Sequence, residues 1–218
     1  MLDGRRLVLI LALAASTALT VALGITDPGG AAEYPTRFLV WNLFLAWIPL
    51  ACALLFTWVH RRVARLTVVA CWLAFLPNAP YLVTDLIHLS GHDELWRHVL
   101  QFGFAAWTGT ILGVVSLRIV HVEVERRFGM IAGWSLVAIS TGLCAIGVVI
   151  GRFQRWNSWD LVTSPGVVAS STFEWARSPI ANVRSTGVAI AVAAFFGFAY
   201  ITTWALDGLQ QKAVDHHA

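Results

Sequence analysis

Two short stretches hold most of the side chains in this chain that could do acid–base chemistry or grip an anion. The first is PNAPYLVTDLIHL, residues 77–89, which carries Asn78, Thr84, Asp85 and His88. The second is GRFQRWNSWD, residues 151–160, which carries Arg152, Arg155, Asn157 and Asp160. A carboxylate or imidazole within hydrogen-bond reach of a substrate acts as general acid or base, so Asp85 and His88 are the candidate catalytic groups. Arg152 and Arg155 stand three apart, on one face if the segment is helical, and guanidiniums suit phosphate or carboxylate. Asn78, Asp85, His88, Arg152, Arg155, Asn157 and Asp160 together form the candidate ligand site. The plainer reading of the same residues is an Arg–Asp bridge that orders two loops without chemistry, next to tryptophans, Trp156 and Trp159, that anchor in a headgroup layer.

Metal binding is the weaker reading. Asp85, His88 and His92 run at i, i+3 and i+7, which places them on one face of a continuous helix, and Asp and His are competent zinc or manganese ligands. Ser90-Gly91 interrupts that face, and Ser90 with Asp93 reads as the N-cap of a new helix. His92 and the isolated His98 are then exposed loop histidines. No G-x-S-x-G, H-E-x-x-H or Walker A pattern is present, so no reaction or cofactor is named by motif.

The elements that must position these residues are membrane helices. The chain has 218 residues, 58% hydrophobic and 12% charged, with mean hydropathy +0.71. Ordinary soluble domains carry about 25% charged residues. A bilayer-spanning helix needs about 20 mostly apolar residues, and six segments qualify: roughly 7–25, 38–60, 66–83, 99–119, 130–150 and 187–206. The apolar run at 7–25 exceeds the roughly 7–15 residues of a signal-peptide core, so it reads as a retained helix. The expectation is an all-α, single-domain, multi-pass bundle over residues 1–218, lying in the bilayer. Net charge is +3, but the basic residues sit between apolar spans and form no face interleaved with aromatics. They control topology and do not bind nucleic acid.

Orientation follows from those basic residues. Arg5, Arg6, Arg61, Arg62, Arg65, Arg118, Arg126, Arg127 and Lys212 share one side; Arg37, Arg97, Arg152, Arg155, Arg177 and Arg184 share the other. Four of the second group lie in the long 151–186 connection, which weighs less. Both termini are therefore expected in the cytoplasm and both polar stretches outside. The ends of the spans on that outer side also carry Asn42 and Gln101. The spans read as free of ionisable groups near their centres, which disfavours a proton-coupled carrier.

Local signals add detail. Pro77 and Pro80 lack N–H groups and crowd the carbonyls four residues earlier, so the helix should kink or unwind at 76–80, with the Asn78 amide bonding the freed backbone. Gly109-x-x-x-Gly113 and Gly147-x-x-x-Gly151 permit close helix approach. Ser164-Pro165 starts, and Pro179 stops, a short interfacial helix with Val168, Thr172 and Trp175 on one face. Cys52, Cys71 and Cys144 fall in apolar spans without metal-knuckle spacing and read as packing residues.

The stretches WNLFLAWIPL (41–50), FLPNAPYLVTDLIHL (75–89) and GRFQRWNSWD (151–160) resemble the family of bacterial integral membrane proteins catalogued as domain of unknown function 1361, over about residues 38–165. The resemblance implies a multi-pass protein of the bacterial cytoplasmic membrane and brings no reaction. The family often carries Trp-Tyr-Asp after the middle motif; here Trp96 is followed by Arg97 and His98, so no acid stands at 98. The leading expectation is a polar site at the extracytoplasmic membrane edge that binds or modifies a lipid headgroup or another anionic ligand. A non-enzymatic assembly protein whose polar edge only closes the bundle is the alternative, and a small-solute transporter or channel is the third.

Overall fold

The computed structural model describes residues 4–25, 37–89, 95–156 and 158–215. All regular structure among them is helical: α1 Gly4–Ile25, α2 Arg37–Trp58, α3 Arg62–Phe75, α4 Asn78–Thr84, a 3-10 turn Asp85–Leu89, α5 Leu95–Phe128, α6 Met130–Arg152, α7 Asp160–Thr163, α8 Pro165–Arg177 and α9 Val183–Asp215. Six of the described segments are long and apolar enough to cross a bilayer: Leu7–Ile25, Phe38–Trp58, Arg62–Leu89, Trp96–Phe128, Met130–Arg152 and Val183–Leu209. The chain is a multi-pass membrane helix bundle, as the six apolar runs require.

The third and fourth spans run furthest past the ends that hydropathy marks. The third continues through its proline break to Leu89, and the fourth continues past residue 119 to Phe128. At about 1.5 Å per residue, the 34 residues of α5 exceed the roughly 30 Å hydrocarbon core. A helix backbone satisfies its own hydrogen bonds, so it need not stop where apolar side chains stop. Beyond residue 119, Glu123 holds Arg126 and Arg127 one turn away on α5 and reaches Arg65 of α3 at 3.8 Å.

α5 is the central helix and packs against α1, α2, α4, α6 and α9. Trp72, Leu76, Val114, Leu117, Cys144 and Phe196 lie in one buried apolar cluster; Leu13, Leu39, Leu43, Leu82, Phe102 and Leu112 lie in a second. Polar side chains join helices where spans meet: Ser16 of α1 to Thr108 of α5 at 2.6 Å, and Trp72 Nε1 to Ser116 Oγ at 3.3 Å. Cys52 and Cys71 are free thiols that meet across α2 and α3, Sγ to Sγ 3.6 Å, and Cys144 is buried.

The proline break follows its chemistry. α3 ends at Phe75, Leu76-Pro77 turns, and α4 restarts at Asn78. Ala79 N–H bonds the Leu76 carbonyl at 3.1 Å, and Tyr81 N–H bonds the Pro77 carbonyl at 3.1 Å. The Asn78 amide donates to the Phe75 carbonyl at 2.9 Å, the carbonyl left open when Ala79 N–H turns to Leu76 at the break.

Both small-residue motifs clasp this break. A Cβ on Gly109 would sit 2.7 Å from the Ala79 carbonyl oxygen, and one on Gly113 would sit 2.7 Å from Ala79 Cβ. On the other side, a Cβ on Gly147 would meet Pro77 Cγ at 2.5 Å, and one on Gly151 would meet the Tyr81 ring at 3.1 Å. α4 is gripped between α5 and α6 because neither helix places a side chain in the way.

α8 begins at Pro165, in the first helical position after Ser164, and ends at Arg177, before Pro179. The Ser164 hydroxyl itself makes no capping bond. Val168 is buried, and Trp175 donates to Ser185 Oγ at 2.9 Å, so α8 is tied to the start of α9.

Candidate functional site

α2 starts, α4 and its 3-10 turn end, and α6 ends at the same end of the bundle, and their polar residues converge there. Asp85 is 1% exposed. Its carboxylate takes a salt bridge from the Arg152 guanidinium and a hydrogen bond from Asn42 Nδ2 of α2 at 3.2 Å. Arg152 also donates to Thr84 Oγ1 at 2.8 Å and lies 3.1 Å from His88 Nε2. Its guanidinium carbon sits 4.5 Å above the Tyr81 ring centre, and the His88 ring meets Phe38 edge-on at 5.6 Å. One buried carboxylate and one guanidinium thus occupy each other and pin α2, α4 and α6 together. An uncompensated buried charge is expensive, which is why each charge here has several partners.

Asn78 forms a separate link. Besides the Phe75 carbonyl, its amide donates to Ser158 Oγ at 3.1 Å, tying the helix break to the loop after α6. Asp160 stands apart from the Asp85 network, at the start of α7, where Thr163 donates to its carboxylate at 3.5 Å. Asn157 and His92 lie outside the described residues. Asp85 and His88 both turn toward the Arg152 cation, an arrangement that suits a guanidinium and opposes a metal cation; among the described residues no group of three or more metal-ligating side chains gathers.

The two arginines part company. α6 ends at Arg152, so no helix carries Arg155 onto the same face. Trp156 N–H bends back to the Ile150 carbonyl at 3.2 Å, and Arg155 adopts φ 60°, the left-handed region that helix ends usually give to glycine or asparagine. Arg152 points into the network. Arg155 is exposed and makes no hydrogen bond or ion pair with a described residue. It lines the mouth of a groove of about 600 Å³ between α2, α3 and α6, with Asn42, Asn78, Trp156 and Ser158. Trp159 meets Trp41 edge-on beside that mouth, 6.3 Å between ring centres.

Tyr81 and Ser158 were not expected at the site. Tyr81 had a signal: Asn78, Tyr81, Asp85 and His88 follow a helical face at i, i+3, i+7 and i+10. Ser158 had none, because only the fold of the loop brings it to Asn78. Two histidines overturn the expectation that polar groups gather at one edge and that loop histidines are exposed. His98 is 6% exposed, because α5 starts at Leu95 and carries it inward. His121 is fully buried near the opposite end of α5, beyond the expected end of that span. Its Nδ1 is hydrogen-bonded to the Tyr200 hydroxyl of α9, and its Nε2 lies 3.5 Å from Glu125. Trp134 and Tyr200 pack around its ring, and Trp204 meets Trp134 edge-on in turn.

A family model described as "Protein of unknown function (DUF1361)" matches residues 41–202, which include both polar stretches and the groove. No curated protein and no solved structure matches the chain.

Proposed function

The chain belongs to the DUF1361 family, and from that premise we propose that this multi-pass membrane protein binds an anionic headgroup at the Arg155 end of its bundle. The observation that carries the reading is the division of labour between the two arginines. Arg152 is occupied by Asp85, Thr84 and His88. Arg155 is held in a left-handed backbone conformation, exposed, at a groove mouth. Strained backbone persists where surrounding structure enforces it, and it concentrates at ligand-binding positions. In this reading Arg155 contacts the anion, Ser158 and Asn78 shape the mouth, and Asp85, His88 and Arg152 hold the mouth open. Asn157 and Asp160, close to Ser158 in sequence, complete the candidate set. The basic-residue balance supports a mouth on the extracytoplasmic side of a cytoplasmic membrane.

The test is native mass spectrometry of the purified chain with phosphatidylglycerol and with phosphatidylcholine. The wild type should prefer the anionic lipid. Arg155→Ala should weaken that lipid about tenfold, the worth of one charge-assisted contact. Equal affinity for both lipids in the wild type, unchanged by Arg155→Ala, would sink the reading.

The closed Asp85–Arg152 network favours a second reading, in which the polar edge only holds the bundle together and the protein works by assembly. Its mark is that Asp85 and Arg152 variants alter thermal stability while no variant at the mouth alters lipid preference. A transporter finds less support: the apolar cluster of Trp72, Leu76, Val114, Leu117 and Phe196 fills the region between the two polar ends, where a hydrated path would have to run.

A further inference from the structure

We infer that the groove below Arg155 holds one hydrocarbon chain of an anionic membrane lipid, whose phosphate sits at the mouth; this rests on the anionic-headgroup reading. The walls are Ala70, Leu73 and Ala74 of α3 facing Leu143, Ile146 and Ile150 of α6. The polar lining gathers at one end, where Arg155, Asn78 and Ser158 stand. From Leu143 to Gly151 the α6 wall rises about 12 Å at about 1.5 Å per residue. A volume of about 600 Å³ lies within the roughly 300–1,000 Å³ of ligand-binding clefts. Apolar walls give water few partners, so the space is not one that water fills well.

The shape of the groove comes from the proline break. α3 stops at Phe75, and α6 comes tight against the break and α4 where Gly147 meets Pro77 and Gly151 meets Tyr81. On the α3 side of that contact, Ala70 and Ala74 line the groove with small side chains. Charge completes the case. Asp85, the buried acid of this end, already belongs to Arg152, and Arg155 has no counter-ion among the described residues. A lipid phosphate supplies that counter-charge at the depth where Trp41, Trp156 and Trp159 suit a headgroup layer. A zwitterionic or neutral lipid meets the walls and leaves the cation unanswered.

The experiment uses the full-length chain in vesicles containing phosphatidylglycerol with a photoactivatable diazirine midway along one acyl chain. Adducts should concentrate on Leu73, Leu143 and Ile146. Ala70→Phe, at an exposed position on the groove wall, fills the groove without crowding the packed core and should abolish those adducts while leaving the melting temperature in place. Arg155→Ala should reduce adducts about tenfold in proportion to lost affinity. Adducts spread over the outer faces of α1 and α9, or unaffected by Ala70→Phe, overturn the chain-in-groove inference, and with the anionic preference intact the mouth reading survives them. Strong groove adducts from phosphatidylcholine, equal to those from phosphatidylglycerol, overturn the anionic part and the mouth reading with it.

Discussion

The two ends of the bundle each bury an ionisable group, and they do so by different means. At one end Asp85 is neutralised by pairing: a guanidinium and an amide on the carboxylate itself, with a hydroxyl and an imidazole on the guanidinium. At the other end His121 is enclosed by packing, with Tyr200 on Nδ1, Trp134 against its ring, and Gly133 so close that a Cβ there would lie 2.7 Å from the imidazole. The paired end sits beside a groove and leaves one further cation, Arg155, outside the network. The packed end closes on itself. Pairing fixes the directions of a few groups and leaves space between helices; ring packing fills space. A ligand site is therefore favoured where helices are held by charge and separated by a break, which is the Asp85 end.

The largest expected effect tests the pairing. Asp85→Ala strips the counter-charge from a mostly buried guanidinium and should cost about 3–5 kcal/mol, read as a lowered melting temperature in detergent. Asp85→Leu combined with Arg152→Met should recover much of it, since apolar replacements of a buried pair are often tolerated. A loss below about 1 kcal/mol from Asp85→Ala would mean the network holds nothing and would dissolve the contrast. Next comes the packed end. Tyr200→Phe leaves His121 Nδ1 without its hydroxyl and should cost about 1–3 kcal/mol, with phosphatidylglycerol preference unchanged because the mouth is at the other end. A changed lipid preference would couple the two ends and break the comparison.

Gly147→Val should also cost about 1–3 kcal/mol by overpacking against Pro77, whereas Gly142→Val, where an added Cβ meets nothing within 4 Å, should be close to neutral. Equal effects would show that the clasp on the helix break is not specific. The smallest effect has the opposite sign. Arg155→Gly relieves a left-handed arginine at φ 60° and should stabilise the fold by up to about 1 kcal/mol, while removing the anionic-lipid preference. A gain in stability with loss of binding is the signature of strain held for function; loss of both would make Arg155 a structural residue.

Much of this molecule was legible before any coordinates. Six apolar runs dictated six spans, because a bilayer leaves a chain few other ways to satisfy its backbone. Pro77 and Pro80 dictated the break, and Asn78 its repair, because a missing N–H has few substitutes at that depth. The likeness of residues 41–50, 75–89 and 151–160 to DUF1361 identified the family, which the match over residues 41–202 bears out. The spread of Arg152 and Arg155 was not legible: spacing alone suggested one face, and only the end of α6 at Arg152 decided that one arginine turns in and the other out. His121 was missed because hydropathy ends a helix where charges begin, while the backbone of α5 continues to Phe128.

What the sequence determined by itself is local: which segments enter the bilayer, where a helix must break, and which residues are chemically able to bind an anion. These follow from backbone hydrogen bonding and side-chain solvation, which each segment settles with its own atoms. What only the tertiary structure decided is partnership. Asp85 found Asn42 and Arg152, Asn78 found Ser158, and the two glycine pairs found the same helix break. Those meetings depend on the crossing of helices far apart in the chain, and no short-range pattern encodes which side chain will stand opposite which.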